Sequence, residues 1–238
     1  MLDHVPTILR STVAEAQRNT LLQELRSKGI RQEEVLNALA SVPREAFLPE
    51  ALQHRSYENI SLPIGAGQTI SQPYTVAFMT ELLGLAPERL AKTSVLEIGT
   101  GSGYQAAILA AMGVRSIYSI ERVPELLAEA QARFQLLGLT VQTRLADGTL
   151  GWREKMPFDG IIVTAGSPDV PQALAEQLSV GGRLVVPVGT RSQQRLYRIT
   201  RVHTGSGADA FRAEEFHHFR FVPLIGEQGW QRSEEKND

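Results

Sequence analysis

The chain has 238 residues, 42% of them hydrophobic, and a formal net charge of −2 at pH 7. That length and apolar content suffice for one sizeable core, and a near-neutral charge without a long basic run gives a nucleic-acid partner no electrostatic support. The absence of cysteine excludes disulfides and thiol catalysis, no apolar run approaches a membrane span, and the start, Met1-Leu2-Asp3-His4-Val5-Pro6, lacks the basic-then-apolar order of a signal peptide, so a cytoplasmic protein outside any membrane is expected.

Residues 1–19 carry no core pattern and are expected to form a flexible extension. Two short helices, over 20–28 and 32–40, are separated by Gly29 and would flank the remainder as a lid. The stretch Leu62-Pro63-Ile64-Gly65-Ala66-Gly67-Gln68-Thr69-Ile70-Ser71-Gln72-Pro73-Tyr74 is too rich in glycine and proline for a regular helix or a central strand. An apolar helix over 76–83 follows. From residue 93 the elements alternate. Strand 95–98 leads to helix 105–112, closed by Gly113, and then to strand Ser116–Glu121. Helix 124–137 gathers Leu126, Leu127, Ala130, Phe134 and Leu137 on one side and stops at Gly138. Strands 141–145 and 158–164, a helix over 171–178, a turn at Gly181-Gly182 and strands 183–188 and 195–201 complete the series. Pro187 puts its strand at a sheet edge or near the end of the element. Such alternation predicts an α/β fold with a doubly wound, mostly parallel sheet and an N-terminal helical flank. The charged tail after Trp230 shows no core pattern, and no internal repeat is present.

The chemistry concentrates at Val95-Leu96-Glu97-Ile98-Gly99-Thr100-Gly101-Ser102-Gly103-Tyr104, an apolar strand that ends in a glycine-rich turn and enters a small-residue helix. A dinucleotide fingerprint needs its third glycine at position 104, where Tyr104 stands, so a nicotinamide-dependent oxidoreductase loses support. An acid followed by Gly99, Gly101 and Gly103 is instead similar to the pattern of S-adenosylmethionine-dependent methyltransferases. The glycines would admit a nucleoside close to the backbone, and Glu97 would receive the cofactor's cationic amino group. The bland alternative is an ordinary strand-to-helix turn. Glu121 ends its strand about 20 residues beyond the glycines, the spacing at which a carboxylate accepts ribose hydroxyls. Asp147, in Ala146-Asp147-Gly148, would face the adenine amine or else simply form an Asp-Gly turn. Thr69 and Ser71 lie just before a helix, where hydroxyls and free N–H groups bind an anion or merely cap the loop. His4, His54, His203, His217 and His218 are scattered, and adjacent strand residues point to opposite faces, so no metal site is expected.

Leu62–Tyr74, Val95–Gly103, Tyr118–Arg122, Asp147-Gly148, Pro157-Phe158-Asp159 and Phe221-Val222-Pro223-Leu224 together resemble the bacterial protein-L-isoaspartate O-methyltransferases over about 20 to 230. Gln68-Thr69-Ile70-Ser71-Gln72-Pro73 is the specific part, since methyltransferases in general share only the glycine turn. Ala146 stands where the family usually has glycine, and Gly166-Ser167 replaces a more alanine-rich turn. The resemblance implies methyl transfer from S-adenosyl-L-methionine, leaving S-adenosyl-L-homocysteine, to the free α-carboxylate of L-isoaspartyl residues in damaged proteins and peptides. D-aspartyl residues are left open as further substrates. The ester would convert through a succinimide towards normal aspartate. Ser71 is implied as the catalytic-loop serine. The cofactor site is implied to take Gln68, Thr69, Ile70, Ser71, Glu97, Gly99, Gly101, Gly103, Glu121, Arg122, Asp147 and Gly148, and the substrate site Thr69, Ser71, Phe221 and Val222. Phe221-Val222-Pro223 would offer an extended edge to the peptide backbone, with a plain core strand as the alternative.

Along the chain this gives an extension (1–19), one methyltransferase domain (20–230) and a polar tail (231–238). Within the domain come a helical flank (20–60), the catalytic loop (61–75), the cofactor-binding core (93–201) and a substrate-side strand (211–226). A monomer is expected. The alternatives are another carboxyl or small-molecule methyltransferase and a non-catalytic cofactor-binding module. A base methyltransferase is disfavoured, because Val163-Thr164-Ala165-Gly166-Ser167-Pro168 stands in place of an Asn/Asp-Pro-Pro-aromatic motif.

Overall fold

Strands rich in Val, Ile and Leu, buried on both faces, take the centre of a parallel sheet because helical crossovers cover both sides. The computed structural model describes residues 7–203 and 209–231. Its elements are α1 (Thr7–Ser27), α2 (Glu33–Ser41), β1 (Leu62–Gly65), β2 (Gln68–Ile70), α3 (Pro73–Leu83), β3 (Ser94–Ile98), α4 (Tyr104–Met112), β4 (Ser116–Glu121), α5 (Pro124–Leu136), β5 (Gln142–Leu145), β6 (Phe158–Val163), α6 (Gln172–Glu176), β7 (Leu178–Gly189), β8 (Gln194–His203) and β9 (Asp209–Phe219). Strand order in the main sheet is β5-β4-β3-β6-β7-β8-β9, while β1 and β2 form a separate hairpin. The pairs from β5 to β7 are parallel, and β7-β8 and β8-β9 are antiparallel. The expected doubly wound, mostly parallel sheet is the one found.

Alternation along each strand divides the apolar residues between two cores. Val95, Ile117, Ile162 and Val185 face the N-terminal helices and α4 in one cluster, and Leu96, Ile98, Ile161, Val163, Leu184 and Val186 face the other side. Each such fully buried side chain contributes about 1.5–3 kcal/mol. The core strands therefore hold the turns at their carboxyl ends firmly.

Several boundaries differ from expectation. Helix α1 begins at Thr7 rather than 20, so much of the expected flexible extension is helical. Residues 13–20 carry no buried side chain, which left this part illegible, and burial begins at Leu21, Leu22 and Leu25 among the side chains described; upstream, Arg18 contributes a guanidinium-to-carbonyl bond of 2.6 Å to Ala40. Residues 1–6, with His4, and the tail from 232 lie outside the described residues. Gly181-Gly182 does not end a strand. It lies inside β7, where pairing with β6 jumps from Phe158↔Leu178 to Gly160↔Arg183 and the extra residues bulge out. Pro187 sits past the last β6 partner, near the end of β7, with its carbonyl accepting from Ser167 N–H at 2.8 Å. Its nitrogen faces that same side, where no ladder donor is required. The expected strand over 211–226 ends at Phe219; beyond it Gly166 pairs with Pro223 only as an isolated bridge.

Candidate active site

β3 is flanked by β4 on one side and β6 on the other, so the crevice at its carboxyl end is the topological switch point where such sheets take ligands. The turn from β3 to α4 fills that crevice with backbone. Gly99 has φ 93°, and a Cβ there would stand 2.4 Å from Thr164 Oγ1. Gly103 has φ 88° and caps α4; a Cβ on it would meet the Phe134 ring at 2.7 Å. Thr164 ties β6 to this turn by donating its hydroxyl to the Gly99 carbonyl at 2.8 Å.

The cavity so formed is lined by most of the expected cofactor residues. Gln68, Thr69, Ile70 and Ser71 come from β2 and the loop after it, Glu97, Gly99 and Gly101 from β3 and its turn, and Glu121, Arg122 and Gly148 from the ends of β4 and β5. Gly103 does not line it; its place is against α5. Thr100, Ser102, Gln105, Thr164, Leu224 and Ile225 also line the cavity and were not anticipated. Asp147 borders an adjoining recess with Arg122, Ala146 and Ile225. Its carboxylate is engaged by protein donors: Thr149 N–H at 2.9 Å, Thr149 Oγ1 at 2.7 Å and Glu227 N–H at 2.7 Å. It therefore holds the C-terminal turn as well as the Asp-Gly corner.

The two central acids differ in environment. Glu121 is buried, and its carboxylate accepts N–H bonds from Gly101 at 2.9 Å, Arg122 at 2.7 Å and Val123 at 2.9 Å. A carboxylate offers about four acceptor positions, so one remains, on the oxygen that braces the glycine turn. Glu97 is completely buried and accepts from the Ser119 hydroxyl, which also meets Thr100 Oγ1 at 2.6 Å. Its Oε1 has no partner. Burial pushes its carboxyl up to about 8; the Ser119 bond and the approach of the Ala106 N–H, too loose for a well-formed hydrogen bond, oppose this, while the nearby Glu121 charge acts with it. An orphaned acceptor on a cavity-lining residue fits a cationic donor from a ligand.

A second cavity opens beside the first, sharing Thr69, Ser71, Thr164 and Val222 with it. Tyr74, His217, His218, Phe219, Arg220 and Phe221 contribute to its walls, and no acidic residue does. Thr69 and Ser71 are not used as caps. Gln72 is the N-cap of α3 and makes no side-chain cap bond, and among the described residues neither hydroxyl has a hydrogen-bond partner. Phe221 lines only the second cavity, whereas Val222 lines both. The expected free edge at 221–223 is largely occupied: Phe221 N–H donates to Gln194 Oε1 at 2.8 Å, Gly166 N–H to the Val222 carbonyl at 2.8 Å and Leu224 N–H to the Gly166 carbonyl at 2.8 Å. The segment is a pinned wall rather than a strand edge.

Comparison with known proteins follows the same outline. The family model described as protein-L-isoaspartate(D-aspartate) O-methyltransferase matches residues 16–229. A protein-L-isoaspartate O-methyltransferase of Dictyoglomus thermophilum is 51% identical over 218 residues, covering 91% of this chain and 94% of its own. That of Salinibacter ruber is 49% identical over 219 residues, covering 89% and 92%. A solved protein-L-isoaspartate O-methyltransferase superimposes with a TM-score of 0.78 at 28% identity, covering 89% of this chain and 67% of its own. A Plasmodium falciparum relative, solved in complex with S-adenosyl-L-homocysteine, shares the fold at a TM-score of 0.72 and 24% identity, over 87% of this chain and 97% of its own. With a matching family model over most of its length and relatives at about half identity, the chain belongs to the protein-L-isoaspartate(D-aspartate) O-methyltransferase family.

Proposed function

We propose that the protein transfers a methyl group from S-adenosyl-L-methionine to the free α-carboxylate of L-isoaspartyl residues in damaged polypeptides, with D-aspartyl residues as a further substrate class. The observation that carries this is the pair of joined cavities, with the free hydroxyls of Thr69 and Ser71 at their junction. When bound, the cofactor supplies an activated methyl on a sulfonium centre. Glu97 would take its amino group, Glu121 its ribose hydroxyls, the Gly99–Gly101 backbone its nucleoside, and Arg122, Asp147 and Gly148 its base.

The acceptor carboxylate has an ordinary pKa of about 4, so it is already ionised at neutral pH and needs no general base. The protein's task is alignment, with reacting atoms about 3–3.5 Å apart. Ser71 and Thr69 hold the carboxylate with neutral hydroxyls, which orient it without neutralising its nucleophilicity. The aromatic walls Tyr74, Phe219 and Phe221 keep water from the junction, and the lack of acidic residues there spares the substrate like-charge repulsion. Val222 forms wall for both ligands.

The enzyme is proposed to act as a cytoplasmic monomer on proteins and peptides, without nucleic acid or membrane as partners. The formal charge of −2 agrees, and no helix among the described residues is long and apolar enough to cross a membrane. Incubation with S-adenosyl-L-methionine and an isoaspartyl peptide tests the proposal. A methyl ester on the α-carboxylate, lost in mild base, is expected, and a peptide left unesterified by folded enzyme rules it out.

A further inference from the structure

Arg44 opens a single helical turn, Arg44–Phe47, in the flank before the hairpin, and it is completely buried. Its guanidinium has no carboxylate partner among the described residues. Instead Nη1 donates to the Ser56 carbonyl at 2.6 Å, and Nη2 donates to the Ile60 carbonyl at 3.1 Å and the Ser71 carbonyl at 3.0 Å. The group lies 5.8 Å from the ring centroid of Tyr104, which itself lines the cofactor cavity.

A buried cation without a counter-ion is normally disfavoured, and it persists where oriented dipoles replace the anion. Here those dipoles belong to separate stretches of backbone. Ile60 precedes β1 and Ser71 follows β2, so one planar fork clamps both ends of the hairpin that carries Gln68 and Thr69. Lysine cannot do the same, because its ammonium is a point charge without the fixed fork. The Ser71 carbonyl is thus tied to the flank while the residue lines both cavities.

We propose that Arg44 is a positioning residue for the methyl-transfer step, setting the place of Ser71 and hence of the substrate carboxylate. Its role rests on the assignment of Ser71 made above. The hydroxyl has no other protein partner to hold it, and a misplacement of about 1 Å can cost 100-fold in rate.

A double-mutant cycle tests this, using Arg44→Lys, Ser71→Ala and the pair, with kcat and KM for an isoaspartyl peptide and calorimetric binding of S-adenosyl-L-homocysteine. Arg44→Gln, which still donates to a single carbonyl, is carried alongside. In Arg44→Lys, kcat is expected to fall by about 10- to 100-fold, with product-cofactor affinity within about threefold of wild type. On the Ser71→Ala background the same change should cost less than about threefold, since groups that act as a unit are not additive. Unchanged kcat in Arg44→Lys overturns the inference, as does an equal loss with and without Ser71. Loss of S-adenosyl-L-homocysteine binding in both Arg44 variants marks Arg44 as scaffold only and also overturns it. A slow Ser71→Ala beside a fast Arg44→Lys defeats the Arg44 inference alone, whereas wild-type turnover in Ser71→Ala removes the Ser71 assignment and this one with it.

Discussion

The Ser119 hydroxyl donates to one oxygen of Glu97, and the other oxygen of that buried carboxylate has no partner. With its pKa pushed by burial from 4.5 to about 8, Glu97 holds a proton in the empty protein at neutral pH. The unfolded chain releases that proton above about 4.5. The stability this group contributes is therefore fully present below 4.5 and falls as pH rises towards about 8. A cationic amino group beside Glu97 favours the carboxylate and expels the proton. Binding of S-adenosyl-L-homocysteine near pH 6.5 should release up to about one proton per site, and affinity should rise with pH until about 8. Calorimetry in buffers of different ionisation enthalpy measures the release, and Glu97→Gln should abolish it. Proton-neutral binding at pH 6.5 would contradict the assignment.

Glu121 braces the glycine turn through Gly101 N–H, and under the proposed function its last acceptor position would go to the ligand. Glu121→Ala should weaken S-adenosyl-L-homocysteine binding by about 1.5–3 kcal/mol, the worth of hydrogen bonds to a charged group. It should also lower the melting temperature, because the N–H groups of Gly101, Arg122 and Val123 lose their partner. Unchanged affinity in the folded variant would remove Glu121 from the ribose.

Ser71→Ala touches neither acid nor the glycine turn. Turnover should fall by about tenfold or more while cofactor affinity changes little, the pattern of an interaction made to the reacting group. Steady-state kinetics beside calorimetry reads the split. Wild-type kcat would leave Ser71 without a role in the transfer.

Thr149 is fully buried, and its hydroxyl donates to Asp147 and accepts Gln228 N–H at 3.1 Å, fastening the turn beyond the cavity wall Leu224-Ile225. Thr149→Val keeps the shape and removes both bonds. A loss of about 1–3 kcal/mol in unfolding free energy is expected, measured by urea denaturation, with Thr149→Ser close to wild type. An unmoved midpoint would mean that the Glu227 N–H bond to Asp147 at 2.7 Å and the Trp230 bond to the Gly166 carbonyl at 3.0 Å hold the turn without the Thr149 hydroxyl.

What was legible in the chain followed periodicity and motif. β3, β4 and β6 are legible to within about a residue: β3 and β6 carry Val-Leu and Ile-Ile-Val runs, as strands buried on both faces do, and β4 alternates apolar Ile117 and Ile120 with small or aromatic residues up to its terminal Glu121. Glu97, Gly99 and Glu121 were found by spacing. The strand expected over 211–226 overruns β9 because an edge strand with polar residues on both faces, Glu214-Glu215-Phe216-His217-His218, shows no clean alternation to mark where it ends. Thr164 with Gly99, Ser119 with Glu97, and Thr149 with Gln228 act through hydrogen bonds between distant segments, which no local pattern announces. Arg44 was hidden for the same reason, since a lone arginine in a charged helical turn reads as a solvated residue until its burial is seen.

The central claim is that the site selects the isomerised backbone. An isoaspartyl peptide and its aspartyl twin share mass, charge and sequence, and differ only in which carbon carries the chain. Ser71 is tied to Arg44 and the 221–224 wall is pinned to Gly166 and Gln194, so under the proposed function the carboxylate would have one position. The normal isomer would present its carboxylate a methylene away, an offset of about 1 Å that can cost 100-fold. Labelled methyl transfer from S-adenosyl-L-methionine to both synthetic peptides, under one set of conditions, measures this directly. Strong, base-labile labelling of the isoaspartyl peptide with little or none on its twin is the expected result. Equal labelling of the two, or label that withstands mild base, would contradict it.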